Sequence, residues 1–226
     1  MAIEFIRDML RMDQVVGEES SQALVESDII VPEAKPDIAK ILDISSNIIL
    51  NSKDVIQDKV MVEGTIQYNV LYVADSDNGH IDSMDNEVAF THYLEIPGVK
   101  PKMVPYIDVE VEHIDYDIIN SRKISTKSVL NVQGKVRQAL QLEAIQEFKD
   151  IDRVEVLKDF VKVSENSAAG SSQTIIREDL ELQDNMPSIA EILRKGISVT
   201  ILDKRVSDNK ATVNGKMDID ILYLCE

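Results

Sequence analysis

The sequence predicts a mainly β protein: tandem antiparallel β-sandwich or open-barrel domains with short helices, the second domain truncated. Three observations carry that expectation. One long stretch, Lys59–Val73, alternates apolar and polar residues almost without a break. The chain matches itself when displaced by 151 positions. Its composition, 44% hydrophobic and 29% charged, is that of a globular chain able to bury a core and not of a disordered one.

In "KVMVEGTIQYNVLYV", Val60, Val62, Ile66, Tyr68, Val70 and Tyr72 share one parity, while Met61, Glu63, Thr65, Gln67 and Asn69 share the other. Successive side chains of a strand point to opposite faces, so the pattern is a strand with one buried face. Leu71 and Val73 predict cover on both faces at its end. Gly64 falls at an inward position, where a glycine marks a bend or the close approach of a neighbouring side chain. Ser46–Ile56 reads as the hairpin partner, joined through a turn at Gln57–Lys59. The heptapeptide ahead of it, "PDIAKIL" (Pro36–Leu42), predicts a short helix. A proline suits the first helical turn, and Ile38, Ile41 and Leu42 would share one face. Two turns are not stable alone, so the helix is expected to plug the sheet edge or core.

Asn86–Ile96 and Tyr106–Ile119 read as further strands. In the second of these the apolar parity slips between Val111 and Ile114, which predicts a β-bulge at Glu112–His113. Arg122–Val136 is another strand, and Ala139–Phe148 fits strand or helix equally well.

The internal repeat sets the domain organisation. Ser20, Ser21 and Gln22 meet Ser171, Ser172 and Gln173; Pro36 meets Pro187; Val62, Gly64, Leu71 and Tyr72 meet Val213, Gly215, Leu222 and Tyr223. No gap is needed from about Arg7 to Val73. The period is far beyond the roughly 20–50 residues of solenoids and propellers, and has the size of a domain. The expectation is a first domain over residues 1–148 and the first half of a homologous one over 149–226. The second copy reaches Glu226, which matches Asp75, and the simplest reading is a fragment of a longer protein. In that copy "PSIAEIL" (Pro187–Leu193) would be the second short helix, Ile197–Val206 the hairpin partner, and Asp208–Lys210 the turn. Val213, Met217, Ile219, Ile221 and Tyr223 would form the inward face.

A formal charge of −17 repels phosphate backbones, and the chain has no basic patch to offset it. Nucleic acid is therefore not expected, and neither is membrane insertion, because no run approaches the roughly 18 apolar residues that a spanning helix needs. The single cysteine, Cys225, makes no internal disulfide, which fits a reducing compartment.

Reactive constellations are sparse. "DSDNGHID" (Asp75–Asp82) invites a calcium reading. An EF-hand loop, however, needs glycine sixth and glutamate twelfth, and counting from Asp75 these places hold His80 and Asn86. Asn78-Gly79 is instead a hairpin-turn signal. His80, His92 and His113 have no second ligand at zinc spacing. No G-x-S-x-G occurs, and a high carboxylate count does not make a general-acid pair. The recurring Ser20–Gln22 and Ser171–Gln173 read as turn and capping residues, with a binding loop as the alternative. We assign no catalytic, cofactor-binding or metal-ligating residue and no cofactor.

Taken in order, "EESSQALVESDI", "VPEAKPDIAKIL" and "VMVEGTIQYNVLYV" resemble the SPOCS-domain family of endospore formers. The resemblance covers residues 7–148 and the first half of the next copy. The second copy departs at Met186, Ser188 and Asn214, where the first has Lys35, Asp37 and Glu63. The resemblance implies a non-enzymatic spore-coat adaptor in the mother-cell cytoplasm at the forespore surface. Its implied partner is the coat-basement ATPase SpoIVA, with homo-oligomers as a further possibility. The alternative is a carbohydrate- or peptidoglycan-binding module of the spore envelope, a role for which 4% aromatic residues supply few stacking platforms.

Overall fold

The structure, a computed structural model, describes residues 4–149, 157, 159–160, 162 and 169–225. Eight strands lie among them: β1 (Glu4–Ile30), β2 (Ile38–Ile56), β3 (Lys59–Ala74), β4 (Ile81–Glu95), β5 (Val104–Asn120), β6 (Lys123–Lys149), β7 (Ile189–Ser207) and β8 (Lys210–Cys225). Two antiparallel sheets, ordered β2-β3-β4 and β1-β6-β5, enclose one core, and β7–β8 is a separate hairpin. The molecule is mainly β, as the alternation predicts, and no helix occurs among the described residues.

β3 and β6 are the central strands of their sheets. From Lys59 to Ala74 the residues of one parity are buried and those of the other half-buried along the whole length. The outward face is thus evenly half-covered, and the closed end expected at Leu71 and Val73 is not a distinct feature. Val62, Ile66, Tyr68 and Val70 meet Ile124, Leu130, Val132 and Val136 from β6 in a single buried cluster. One polar link crosses it, between the Tyr68 hydroxyl and Ser128 Oγ at 2.7 Å. Two connections carry the chain from one sheet to the other, one at each end. The first is held by Val31 N–H to Arg122 O and Ile38 N–H to Ser121 O; the second by Ile96 N–H to Asp58 O and Asp58 N–H to Val99 O.

The predicted short helices are strand. Pro36–Leu42 leads into β2, where Ile38 pairs with Ala74 and Ile41 with Tyr72. A bulge between Ile38 and Lys40 inserts one residue, so two isoleucines three apart in sequence lie two apart in register and share the buried face. The i, i+3 spacing that imitates a helix is the signature of a bulged strand, and Leu42, the extra residue of the next bulge, is exposed. The bulge expected near Glu112–His113 is present, as a register shift between Val111 and His113. Ala139–Phe148 resolves to strand, as the end of β6.

β7–β8 repeats β2–β3 in detail. The register shifts at Ile38/Lys40, Ile41/Asp43 and Leu50/Ser52 recur at Ile189/Glu191, Ile192/Arg194 and Ile201/Asp203. Asp58 and Asn209 occupy the same left-handed turn position, with φ of 58° and 59°. The Tyr72 hydroxyl donates to the Pro36 carbonyl at 3.2 Å, and that of Tyr223 to the Pro187 carbonyl at 3.3 Å. The surroundings, however, are not repeated. Val213, Met217 and Ile219, expected to face inward, are 58%, 42% and 44% exposed, since among the described residues no second sheet lies over them. Residues 169–182 form no strand, although they correspond to the C-terminal part of β1. β1 pairs only with β6, and a strand without its ladder partner has no backbone bonds to hold it.

Candidate interaction surfaces

The sequence motifs singled out above serve to hold the sandwich together. At the β1–β2 crossover, the Arg122 guanidinium donates to the carbonyls of Val31 and Pro32, at 3.2 and 2.9 Å, and to the Asp37 carboxylate. Ser121 Oγ donates to the same carboxylate at 2.7 Å. The Ser121 bond first, and Arg122 next, hold the Asp37 carboxyl below its ordinary pKa. Lys35 reaches Asp82 at 2.6 Å and Glu191 of β7 at 2.9 Å. Burial pulls its ammonium down, but the two carboxylates outweigh that and hold it above its usual value. Desolvation, with the Asp82 charge adding to it, pushes the Tyr72 phenol up to about 12.

Ser20–Gln22 lies within β1, not in a turn or cap. Ser20 bonds Asn131 on the neighbouring strand, Gln22 donates to Glu112, and Ser21 Oγ meets His92 Nε2 at 2.7 Å, which ties β1 to β4 in the opposite sheet. Burial holds His92 below its ordinary pKa. Gly64 leaves room for Phe90, its cross-strand partner: a Cβ there would lie 2.6 Å from the Phe90 ring.

The histidines stand apart. His80 bonds Ser76 in the β3–β4 turn, and His113 pairs with Asp115 on β5. Asp75–Asp82 makes that turn, with Gly79 at φ 53° and Asp82 turned in toward Lys35. Among the described residues no three His, Cys, Asp or Glu side chains converge as a metal site, and no helix is long and apolar enough to cross a membrane.

Residues 37–119 match the family described as SipL, SPOCS domain. That stretch is similar to a SPOCS domain. The match spans β2 to β5, and the structure adds β1 and β6 to the same sandwich. It ties the chain to sporulation. No curated protein and no solved structure matches it.

Among the described residues, three surfaces around this sandwich are open. Between the outer edges of β2 and β5 runs a groove of 590 Å³, lined by Ile44, Ile48, Val109, Val111, His113 and Ile114. Beyond Val104, the last residue of β5 to pair with β6, β1 and β6 continue as a two-stranded arm over residues 4–14 and 138–149. Met9, Leu142 and Ile145 are 43–54% exposed on it. The third is the β7–β8 hairpin, which rests on the end of the sandwich through Glu191 to Lys35, Arg194 to Asp43 at 2.6 Å, and Asn69 Nδ2 to the Leu193 carbonyl at 3.2 Å. Sequence reasoning missed the arm because β1 breaks parity at Ile6/Arg7 and Val15/Gly17.

Proposed function

We propose that the protein is a non-enzymatic adaptor of the spore coat. In this reading it sits in the mother-cell cytoplasm at the forespore surface and holds a SpoIVA-type morphogenetic protein through exposed strand edges and apolar sheet faces. The observation that carries the reading is the SipL-type SPOCS match over residues 37–119. Two features support it. The polar side chains of the motifs are engaged in pairs that join one strand or sheet to the next, which leaves no converged reactive set among the described residues. The open edges and faces are of the kind that takes a partner strand or sheet.

The peptidoglycan reading has less to draw on. Tyr93 and Tyr116 lie on different sheets, and Tyr106 stacks under Arg137 at 5.0 Å. The test is direct binding of the full chain to purified SpoIVA, run beside sedimentation with purified peptidoglycan. Saturable binding to SpoIVA alone supports the adaptor. Retention on peptidoglycan without SpoIVA binding overturns it.

A further inference from the structure

The two seams of the sandwich differ. Where β1 passes β4, Ala23, Phe90 and Leu94 are buried and the Ser21–His92 bond joins the sheets. Where β2 passes β5, no hydrogen bond among the described residues crosses between residues 44–52 and 104–118, and the 590 Å³ groove lies open there. Its floor is the core itself: Ile44, Ile48, Val109, Val111 and Ile114 pack on the buried cluster and stay only partly covered. Tyr116 and Ile118, on the parity of Ile114, are 44% and 48% exposed. β5 pairs with β6 along one side only, so its other side presents unpaired backbone groups, a template for an added strand.

Charge says which strand fits. β5 carries Asp108, Glu110, Glu112, Asp115 and Asp117 and no lysine or arginine. All five are exposed, and among the described residues none pairs with a lysine or arginine; Asp115 pairs only with His113 of its own strand. Residues 44–52 of β2, across the groove, are uncharged. The carboxylates face outward and the valines between them face the core. A strand added at β5 therefore sets every second side chain beside a carboxylate and the alternate ones over the groove.

We propose that the β2–β5 groove binds an extended segment of a partner protein, about six residues in which lysine or arginine alternates with aliphatic side chains, added as a strand to the free edge of β5. The basic side chains lie beside Asp108, Glu110 and Asp115, and the aliphatic ones cover Ile44, Ile48, Val111 and Ile114. A second copy docking edge to edge is not the occupant, because its β5 brings the same five carboxylates, and like charges side by side repel. The site rests on the adaptor reading in taking a strand edge as the binding element, and adds which edge and what chemistry it recognises.

The test is a titration of the isotope-labelled full chain with a short acetylated peptide of alternating lysine and valine, followed by amide NMR. A peptide of the same composition, with its lysines and valines in separate blocks, runs beside it. The expected result is one-to-one binding of the alternating peptide that moves the amides of 44–48 and 106–117, leaves β1 and β4 unchanged, and weakens as salt rises. Asp108→Lys with Glu110→Lys should lower the affinity about tenfold, since each turns an attractive cross-strand pair into a repulsive one. Asp75→Lys with Asp77→Lys, the same change of charge in the exposed β3–β4 turn, should leave it within about twofold. Equal binding of the blocked peptide, or equal losses in the two double variants, means attraction to net charge alone and overturns the proposal. So does absence of binding, which means that the carboxylates only guard the edge against pairing. Sedimentation of the free chain that rises with concentration and is abolished by Asp108→Lys with Glu110→Lys overturns it too, since a second copy then fills the groove. If the peptide binds and SpoIVA does not, the adaptor reading falls and the groove stands; if SpoIVA binds and the peptide does not, the groove falls alone.

Discussion

Val62 and Val213 are the same residue at the same register position of two equivalent hairpins, one 0% and the other 58% exposed. Substituting each by alanine applies one chemical perturbation to two environments. At Val62 two carbons leave a closed core. Buried one-carbon deletions cost 0.5–1.5 kcal/mol with the cavity included, so Val62→Ala should cost about 2 kcal/mol. At Val213 the removed methyls already face water, and the change should stay within roughly 0.5 kcal/mol. In urea, with a slope of about 2 kcal/mol/M, this is a midpoint lowered by about 1 M for Val62→Ala and by less than about 0.3 M for Val213→Ala. Far-UV circular dichroism of the full chain reads both. Equal shifts would refute the reasoning, because they would place the two faces in equally closed surroundings.

Gly64→Ala forces the Phe90 ring aside and should cost about 1–3 kcal/mol, whereas Gly215→Ala meets only the Thr200 carbonyl at 3.0 Å and should cost clearly less; the same denaturation assay compares them. Folding raises the pKa of Tyr72, so its contribution is complete below about pH 10 and is lost as pH rises toward 12. Thermal melts of the full chain should fall across that window, and Tyr72→Phe should flatten the fall. Burial lowers the pKa of His92, so its contribution is complete above about pH 6.5 and is lost as pH drops below that value; His92→Gln should shrink the acid-side loss in the same melts. Arg122→Ala removes a donor from Asp37 and from two crossover carbonyls; NMR titration should find Asp37 ionising at higher pH, and an unchanged Asp37 would remove Arg122 from that role.

The legible part of the fold is the part governed by local alternation. β3 satisfies it residue by residue, and the slip at Glu112–His113 marks a real bulge. The same device misleads at Pro36–Leu42, where a bulge converts a period of two into an apparent i, i+3 pattern. β1 stays hidden because its parity breaks and because its existence depends on β6, which is far away in sequence. The repeat makes the point twice over: Ser20–Gln22 is strand where β6 lies beside it, and Ser171–Gln173, with identical side chains, is not. The motif residues were visible, but their work was not. Lys35 and Asp37 stand out in sequence only as places where the two copies differ, and only the folded chain brings Asp82, Ser121 and Arg122 to them.

Amide hydrogen exchange of the unmodified chain probes the central claim most directly, that one sheet unit is closed and its repeat lies open. The β3 amides, Lys59–Ala74, should exchange only through global unfolding, while those of β8, Lys210–Cys225, should exchange through local opening, orders of magnitude faster. Equal protection of the two strands would contradict the account.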